Sequence, residues 1–285
     1  SHVGVALKWT SIGGCAVGIA CVGAVATYEE YRGRGLATTL MEAAIRHAEH
    51  WGAAVMMISG GRGLYRRLGA ADVGREYRLT VSDTVAAMLK PSLTTITPCT
   101  DNDLAICQTF YTRKPAHFVR SPFEWSVYLH SSTAMCTDAD IWIVRYNNIP
   151  CGYWVVDRKV RESRLRVLEH AGDDLALAGS VSVLLAQYSA STLEIHLQEA
   201  DAPLFGLFRE AGATFSEEHA SGTYLILNFD RLMRRLQPFF EGRTDRKTVS
   251  RLRWHQENDF YRLECWEETA VLEGKMALME TVFGN

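Results

Sequence analysis

Hydrophobic and polar positions change period several times along the chain, and each change marks an element. From Val3 to Thr27 the pattern is that of a β-hairpin: a run Val3 to Trp9, a turn at Ser11 to Gly14, then small and β-branched residues from Ala16 to Ala26. A charged break, Glu29-Glu30-Tyr31-Arg32, separates it from Leu36, Leu40, Ala43, Ala44, Ala48 and Trp51, which recur at helical spacing until Gly52 stops them. Ala54 to Ile58 reads as a short buried strand, Gly60 to Gly63 as a loop and Leu64 to Leu68 as a short helix closed by Gly69. Tyr77 to Val81 then reads as the final strand of a β-β-α-β-α-β unit.

Thr84 to Leu89 leads into the polar stretch Pro91 to Asp103, which marks a boundary. Beyond it the pattern predicts a strand pair, Ile141 to Tyr146 and Gly152 to Asp157, across Asn147-Asn148. Strands at Arg164 to His170 and Thr192 to Leu197 follow, then a helix from Pro203 to Ala211 closed by Gly212. A third segment starts near Phe229, with eight basic residues between Arg231 and Arg253 against Glu241 and Asp245. The division this predicts is 1–88, 89–228 and 229–285. Leu64-Tyr65-Arg66-Arg67-Leu68-Gly69-Ala70 is echoed by Leu207-Phe208-Arg209-Glu210-Ala211-Gly212-Ala213, each between short strands, so the chain reads as a tandem of one fold unit.

Composition narrows the class. With 285 residues, 47% hydrophobic and 30 Lys+Arg against 33 Asp+Glu for a net charge of −3, the chain can bury full cores, and disorder, collagen and a small disulfide scaffold are excluded. A near-neutral balance argues against a nucleic-acid coat, and no nucleic-acid partner is expected. Seven cysteines form an odd set without a Cys-x-x-Cys pair, which suggests neither a disulfide framework nor a zinc ribbon and fits a reducing, cytoplasmic setting. Lys8 and Glu29 bound twenty uncharged residues, but Gly13, Gly14, Gly18 and Gly23 interrupt them, so no membrane span is expected.

The strongest chemical signal is Arg32-Gly33-Arg34-Gly35-Leu36-Ala37, between a strand and an amphipathic helix. Glycines let the backbone turn tightly, and the free N–H groups of the first helical turn then point into one concavity where a pyrophosphate can bind. Arg32 and Arg34 can place guanidinium groups on the remaining phosphate charge. A Walker loop is absent, and Gly33-x-Gly35 is followed by Thr38 where a dinucleotide fingerprint requires a third glycine. A plain glycine turn with two solvated arginines is the competing reading. His47 and His50 stand three apart but lack the Glu of a zinc-hydrolase helix, so they read as surface and no metal is expected.

Val22-Gly23-Ala24-Val25-Ala26-Thr27, Tyr31-Arg32-Gly33-Arg34-Gly35-Leu36-Ala37 and Gly63-Leu64-Tyr65-Arg66-Arg67-Leu68-Gly69-Ala70 together resemble the GNAT superfamily of N-acetyltransferases. The resemblance covers about residues 3 to 82. It implies an α/β fold with mixed central sheets and flanking helices, and acetyl-CoA as co-substrate. The pyrophosphate loop would map onto Arg32, Gly35 and Ala37, with Gly33, Arg34 and Leu36 between them. It also implies a strand splayed at Val25 to Thr27, where an N–H near Val25 or Ala26 faces the thioester carbonyl, and Tyr65 as the acid that protonates the leaving thiolate. Transfer would go directly to a primary amine of a small molecule or peptide. Glu29 and Glu30 are weak candidates for a base, since adjacent charges at a strand end are usually solvated.

The second unit resembles a GNAT fold whose loop position reads Ala171-Gly172-Asp173-Asp174 and whose Phe208 replaces the Tyr65 hydroxyl, so it is expected not to bind acetyl-CoA. Asn228 to Leu232, Leu236-Gln237-Pro238 and Val282-Phe283-Gly284 resemble the sterol-carrier-protein-like tail of acetyltransferases of the enhanced intracellular survival type. That resemblance implies oligomers assembled through the added domains, and a natural chain longer at both ends. The rival expectation is a non-catalytic protein that keeps the fold for ligand binding or assembly.

Overall fold

The computed structural model describes residues 1–89, 94–242, 253–257, 260–265 and 268–272. In chain order its elements begin with β1 (His2–Ile12), β2 (Cys15–Ala26), α1 (Leu36–His50), β3 (Val55–Ile58), α2 (Gly63–Arg67), β4 (Arg75–Ser82), α3 (Asp83–Met88), β5 (Thr94–Pro98), α4 (Leu104–Tyr111), β6 (Ala116–Phe118) and α5 (Pro122–His130). They continue with β7 (Thr133–Ala134), β8 (Thr137–Tyr146), β9 (Ile149–Asp157), β10 (Arg164–Gly172), α6 (Asp174–Gln187), β11 (Thr192–Gln198), α7 (Ala202–Glu210), β12 (Thr214–His219), β13 (Thr223–Ile226) and α8 (Phe229–Glu241). An antiparallel meander, β14 (Arg253–Glu257), β15 (Phe260–Cys265) and β16 (Glu268–Leu272), completes the described chain. Two compact units result. One gathers Ser1–Gly74, Pro115–Val119 and the described residues from His219 on; the other gathers Arg75–Lys114 and Arg120–Glu218.

The first unit is built on a five-stranded sheet in the order β13-β3-β2-β1-β6, parallel between β2 and β3 and antiparallel elsewhere. Because side chains alternate along a strand, β2 serves both faces. Val17 and Ile19 join Leu232, Met233 and Leu236 of α8 in one cluster, while Ala20 and Val22 join Met41, Ala44 and Ala48 of α1 in another. Full burial of side chains such as Met41, Ile58 and Leu236 stabilises by roughly 1.5–3 kcal/mol each, which holds both helices against the sheet.

The second unit carries an eight-stranded mixed sheet, β12-β4-β11-β10-β9-β8-β5 with β7 on β8. Trp154 and Val156 of β9 face α6 and α7, and the alternate residues Tyr153 and Val155 face Tyr111 of α4 and Trp125 of α5. Neither α4 nor α5 shows a strong apolar stripe, and α6 is buried along most of its length, from Ala176 to Val181 and again at Leu184 and Leu185. A helix apolar on all sides has no 3.6-residue alternation to reveal it.

The strand at 75–82 is not the last strand of the first unit, as its position in the sequence suggested. It pairs antiparallel with β11, from Thr192 opposite Ser82 to Gln198 opposite Glu76. The edge of β3 is taken instead by β13, with Thr223 opposite Ile58 and Ile226 opposite Val55. Alternating polarity specifies which face of a strand is buried but not which edge it joins, so the sequence carries no sign of this exchange. The repeated heptads fold alike. Ala70 N–H donates to Tyr65 O (3.0 Å) as Ala213 N–H donates to Phe208 O (2.9 Å), and Gly69 (φ +88°) and Gly212 (φ +96°) make equivalent left-handed stops.

Candidate active site

The site is a fork in the first unit's sheet. Parallel pairing of β2 with β3 runs from Ile19–Val55 to Val22–Ile58 and closes with Ser59 N–H donating to Val22 O at 3.0 Å. There β3 ends while β2 continues to Ala26, so among the described residues no strand pairs with Gly23 to Ala26 on that edge. On the other edge the register passes from Gly4–Gly23 to His2–Ala26, which sets Val3 against both Ala24 and Val25. This is a β-bulge with Ala24 in the left-handed region (φ +52°), and such a bulge bends its strand and re-aims the backbone. The His2 ring Nδ1 lies 2.9 Å from the Ala24 carbonyl oxygen, and Ser1 Oγ donates to Ala26 O at 3.2 Å.

The arginine–glycine segment follows directly. Arg32 N–H donates to Glu29 O (3.1 Å) and its Nε to Thr27 O (3.3 Å), tying the loop to the end of β2. Gly33 (φ +76°) and Gly35 (φ +74°) both take left-handed backbone that L-residues reach only with strain, and a Cβ at either would meet open space. Gly35 is the N-cap of α1 and offers no capping side chain. The first bond within the helix is Thr39 N–H to Gly35 O at 3.1 Å, so the N–H groups of Leu36, Ala37 and Thr38 have no acceptor inside it. Their positive ends and the helix dipole face outward together. The Arg34 guanidinium lies over the Tyr31 ring, 5.3 Å from its centroid.

Tyr65 sits on α2 with its ring buried among Val22, Ile58, Met41 and Ala70, and Val25 packs against the same cluster. Tyr65 thus shares a buried cluster with Val22 and Ile58, the last paired residues of β2 and β3, while Arg32 is tied to Thr27 beyond the end of β2. The Tyr65 hydroxyl has no hydrogen-bond partner among the described residues. Thr223, whose role the sequence did not signal, supports the other arm: its buried hydroxyl donates to Gly60 O at 3.1 Å, just past the end of β3.

A strand divergence also occurs in the second unit, with different charge and capping. Pairing of β10 with β11 also stops early, at Arg166–Glu194, and β10 also slips register between Val167 and Glu169. Here, however, Asp173 caps α6 and accepts from Ala176 N–H at 2.9 Å, so a carboxylate occupies the helix N-terminus. Gly172 (φ +140°) lies so close to β9 that a Cβ would overlap Gly152 Cα and the Cys151 carbonyl oxygen. Beside it, buried His170, Lys114 and Asp201 interlock, with Lys114 Nζ 3.1 Å from Asp201 Oδ1 and His170 Nε2 3.4 Å from it. Burial and the adjacent ammonium hold the His170 pKa below its ordinary value.

His47 and His50 lie near the C-terminal end of α1, where exposed His47 contacts Trp51 with ring centroids 4.2 Å apart. Among the described residues no three His, Cys, Asp or Glu gather as a metal would require, and no helix is long and apolar enough to cross a membrane. Lys8 to Tyr28 form the hairpin and its exit instead. Of the tail resemblance, Asn228 to Leu232 open α8, whose Arg231 Nη1 donates to Glu49 O (3.0 Å) and Ala53 O (2.9 Å) at the end of α1. Val282-Phe283-Gly284 lie outside the described residues.

Comparison with known proteins agrees with this geometry. Residues 5–72 match the family model described as acetyltransferase (GNAT) domain. No curated protein sequence matches the chain. Among solved structures, the fold resembles a GCN5-related N-acetyltransferase from Kribbella flavida (TM-score 0.65, 15% identity, covering 94% of this chain and 69% of that one). It also resembles one from Anabaena variabilis (TM-score 0.67, 15% identity, 95% and 72%). Eis1 from Mycobacterium abscessus is similar as well (TM-score 0.60, 15% identity, 98% and 76%). Fork and glycine loop lie in and beside the stretch that matches the acetyltransferase (GNAT) domain model, residues 5–72, and the chain shares its mixed α/β fold with solved N-acetyltransferase structures.

Proposed function

We infer that the protein transfers acetyl from acetyl-CoA to a primary amine by direct attack, with the chemistry in the first unit. The observation that carries this is the uncapped start of α1 next to an open strand edge. The N–H groups of Leu36, Ala37 and Thr38, without an acceptor among the described residues, would receive a diphosphate, with Arg32 and Arg34 close in sequence for the remaining charge. Pantetheine would lie along Gly23 to Ala26 on the edge of β2 that β3 leaves open, and a backbone N–H of Val25 or Ala26 would stabilise the oxyanion as the amine adds to the thioester carbonyl. As the carbon–sulfur bond breaks, Tyr65 gives its phenolic proton to the thiolate, releasing CoA; the proton lost by the attacking nitrogen passes through solvent and restores the phenol, leaving a neutral amide.

The chain also reads as a tandem whose second copy has lost the cofactor. The repeated heptads share their backbone bonds, yet Asp173 and Asp174 stand where a diphosphate would have to bind, and Phe208 brings no hydroxyl. Isothermal titration with acetyl-CoA, paired with mass-spectrometric detection of an acetylated polyamine, tests the reading. Wild type is expected to bind and turn over, and Gly35→Glu to do neither. Absence of binding by the wild type, or equal binding by Gly35→Glu, overturns it.

A further inference from the structure

Away from this fork, the second unit carries a cavity of about 350 Å³ lined by Arg78, Asp157, Lys159, Arg161, Glu162, Arg164, Arg166 and Glu194. Five cations face three carboxylates there, and the two carboxylates at the floor are buried and already engaged. Glu194 Oε2 accepts from Arg78 (2.9 Å) and Arg164 (3.2 Å); Asp157 Oδ2 accepts from Arg166 (3.2 Å), and its Oδ1 from the Lys159 backbone N–H (3.0 Å). Each arginine is anchored through one terminal nitrogen and remains nearly half exposed while lining the cavity. The Lys159 and Arg161 side chains have no carboxylate partner among the described residues.

The turn that delivers Arg161 is strained. Arg161 and Arg164 exchange backbone bonds (3.2 and 2.8 Å) around Glu162 (φ +51°) and Ser163 (φ +59°). A two-residue turn with both central residues left-handed normally uses Asn and Gly, and other L-residues there are strained. The strain holds Arg161 and Arg164 side by side at the mouth of a cavity that already has a positive excess. Strain of this kind persists where surrounding structure fixes it, and it collects at ligand sites.

We propose that this cavity binds a doubly charged phosphoryl group of a soluble phosphorylated small molecule, separately from the acetyl-CoA fork. The buried carboxylates Asp157 and Glu194 act as positioning residues that aim the arginines. Lys159 and Arg161 supply the uncompensated charge, and bidentate guanidinium geometry suits phosphate oxygens. The volume falls within the range of about 300–1,000 Å³ typical of small-molecule sites.

The test is isothermal titration of the full chain with inorganic pyrophosphate in a Gly35→Glu background, which removes any contribution from the α1 loop. Saturable 1:1 binding is expected, weakened at least tenfold by Lys159→Ala/Arg161→Ala and retained by the charge-conserving Lys159→Arg, which keeps Arg161 in place. No binding in the Gly35→Glu background, or binding that the alanine pair leaves unchanged, overturns the proposal. Neither outcome depends on whether acetyl-CoA binds at the first unit.

Discussion

Gly35→Ala separates the two tasks assigned to the start of α1, because its cost comes from backbone conformation alone. At φ +74° an added Cβ meets nothing within 4 Å, so no contact is broken. What remains is the left-handed penalty, roughly 1–2 kcal/mol. At about 2–4 °C of melting temperature per kcal/mol for a unit of this size, the melt should fall by a few degrees. If residue 35 escapes into ordinary backbone, the N–H groups of Leu36, Ala37 and Thr38 turn away from the ligand. Losing even one charge-assisted hydrogen bond costs about 1.5–3 kcal/mol, or roughly a 10- to 100-fold loss of affinity. Gly52→Ala is the control: it lies just past the other end of the same helix, at φ +92°, with nothing within 4 Å of its Cβ. Thermal denaturation should show similar losses for both variants, whereas titration with acetyl-CoA should show weakened binding for Gly35→Ala only. If Gly35→Ala binds within twofold of Gly52→Ala, the loop does not hold the diphosphate.

Tyr65→Phe keeps the buried ring and removes only the hydroxyl, so acetyl-CoA affinity should stay constant while kcat falls by about 10²–10⁴; unchanged turnover from pH 6 to 9 rules out the acid role. Arg120 lies 4.2, 4.9 and 4.7 Å from the rings of Tyr111, Trp125 and Tyr128 and pairs through both terminal nitrogens with largely buried Glu169. Arg120→Met strands that carboxylate and should cost about 3–5 kcal/mol in urea denaturation, partly recovered by adding Glu169→Gln; a loss under about 1 kcal/mol refutes the assignment. His170 titrates below its ordinary 6.5 when folded, owing first to burial and then to Lys114. The unfolded chain therefore takes up the proton first as pH falls through about 6.5, and stability drops in acid. Asp201, held well below the usual carboxylate range, adds a second loss at pH below about 4. His196, raised first by its hydrogen bond to Glu76, works in the opposite sense over this range, so the comparison is between proteins: from pH 7 to pH 5 the wild type should lose more melting temperature than His170→Gln, and an identical slope in the variant would place the titration elsewhere.

What the sequence settled is local. The hairpin, α1 and its glycine-initiated start follow from alternation, helical spacing and residues whose backbone freedom is intrinsic, and Gly33 and Gly35 do take the conformations that only glycine reaches without strain. The phosphate-loop candidate could be read for the same reason: a tight turn into a helix is specified by the few residues that make it. Strand partnership could not be read this way. Nothing in Arg75 to Ser82 or Thr223 to Ile226 distinguishes the edge of β11 from that of β3, because hydrogen bonds along a sheet edge are made by backbone that every residue shares. Nor could the fork, which exists because β3 stops four residues before β2 does and a bulge at Ala24 turns the longer strand aside. The same holds for the arginine cavity, whose lining comes from positions as far apart as Arg78 and Glu194. Residue type decided which chemistry each position could offer; the tertiary fold decided which positions meet, since contacts between distant segments depend on the packing of the whole sheet.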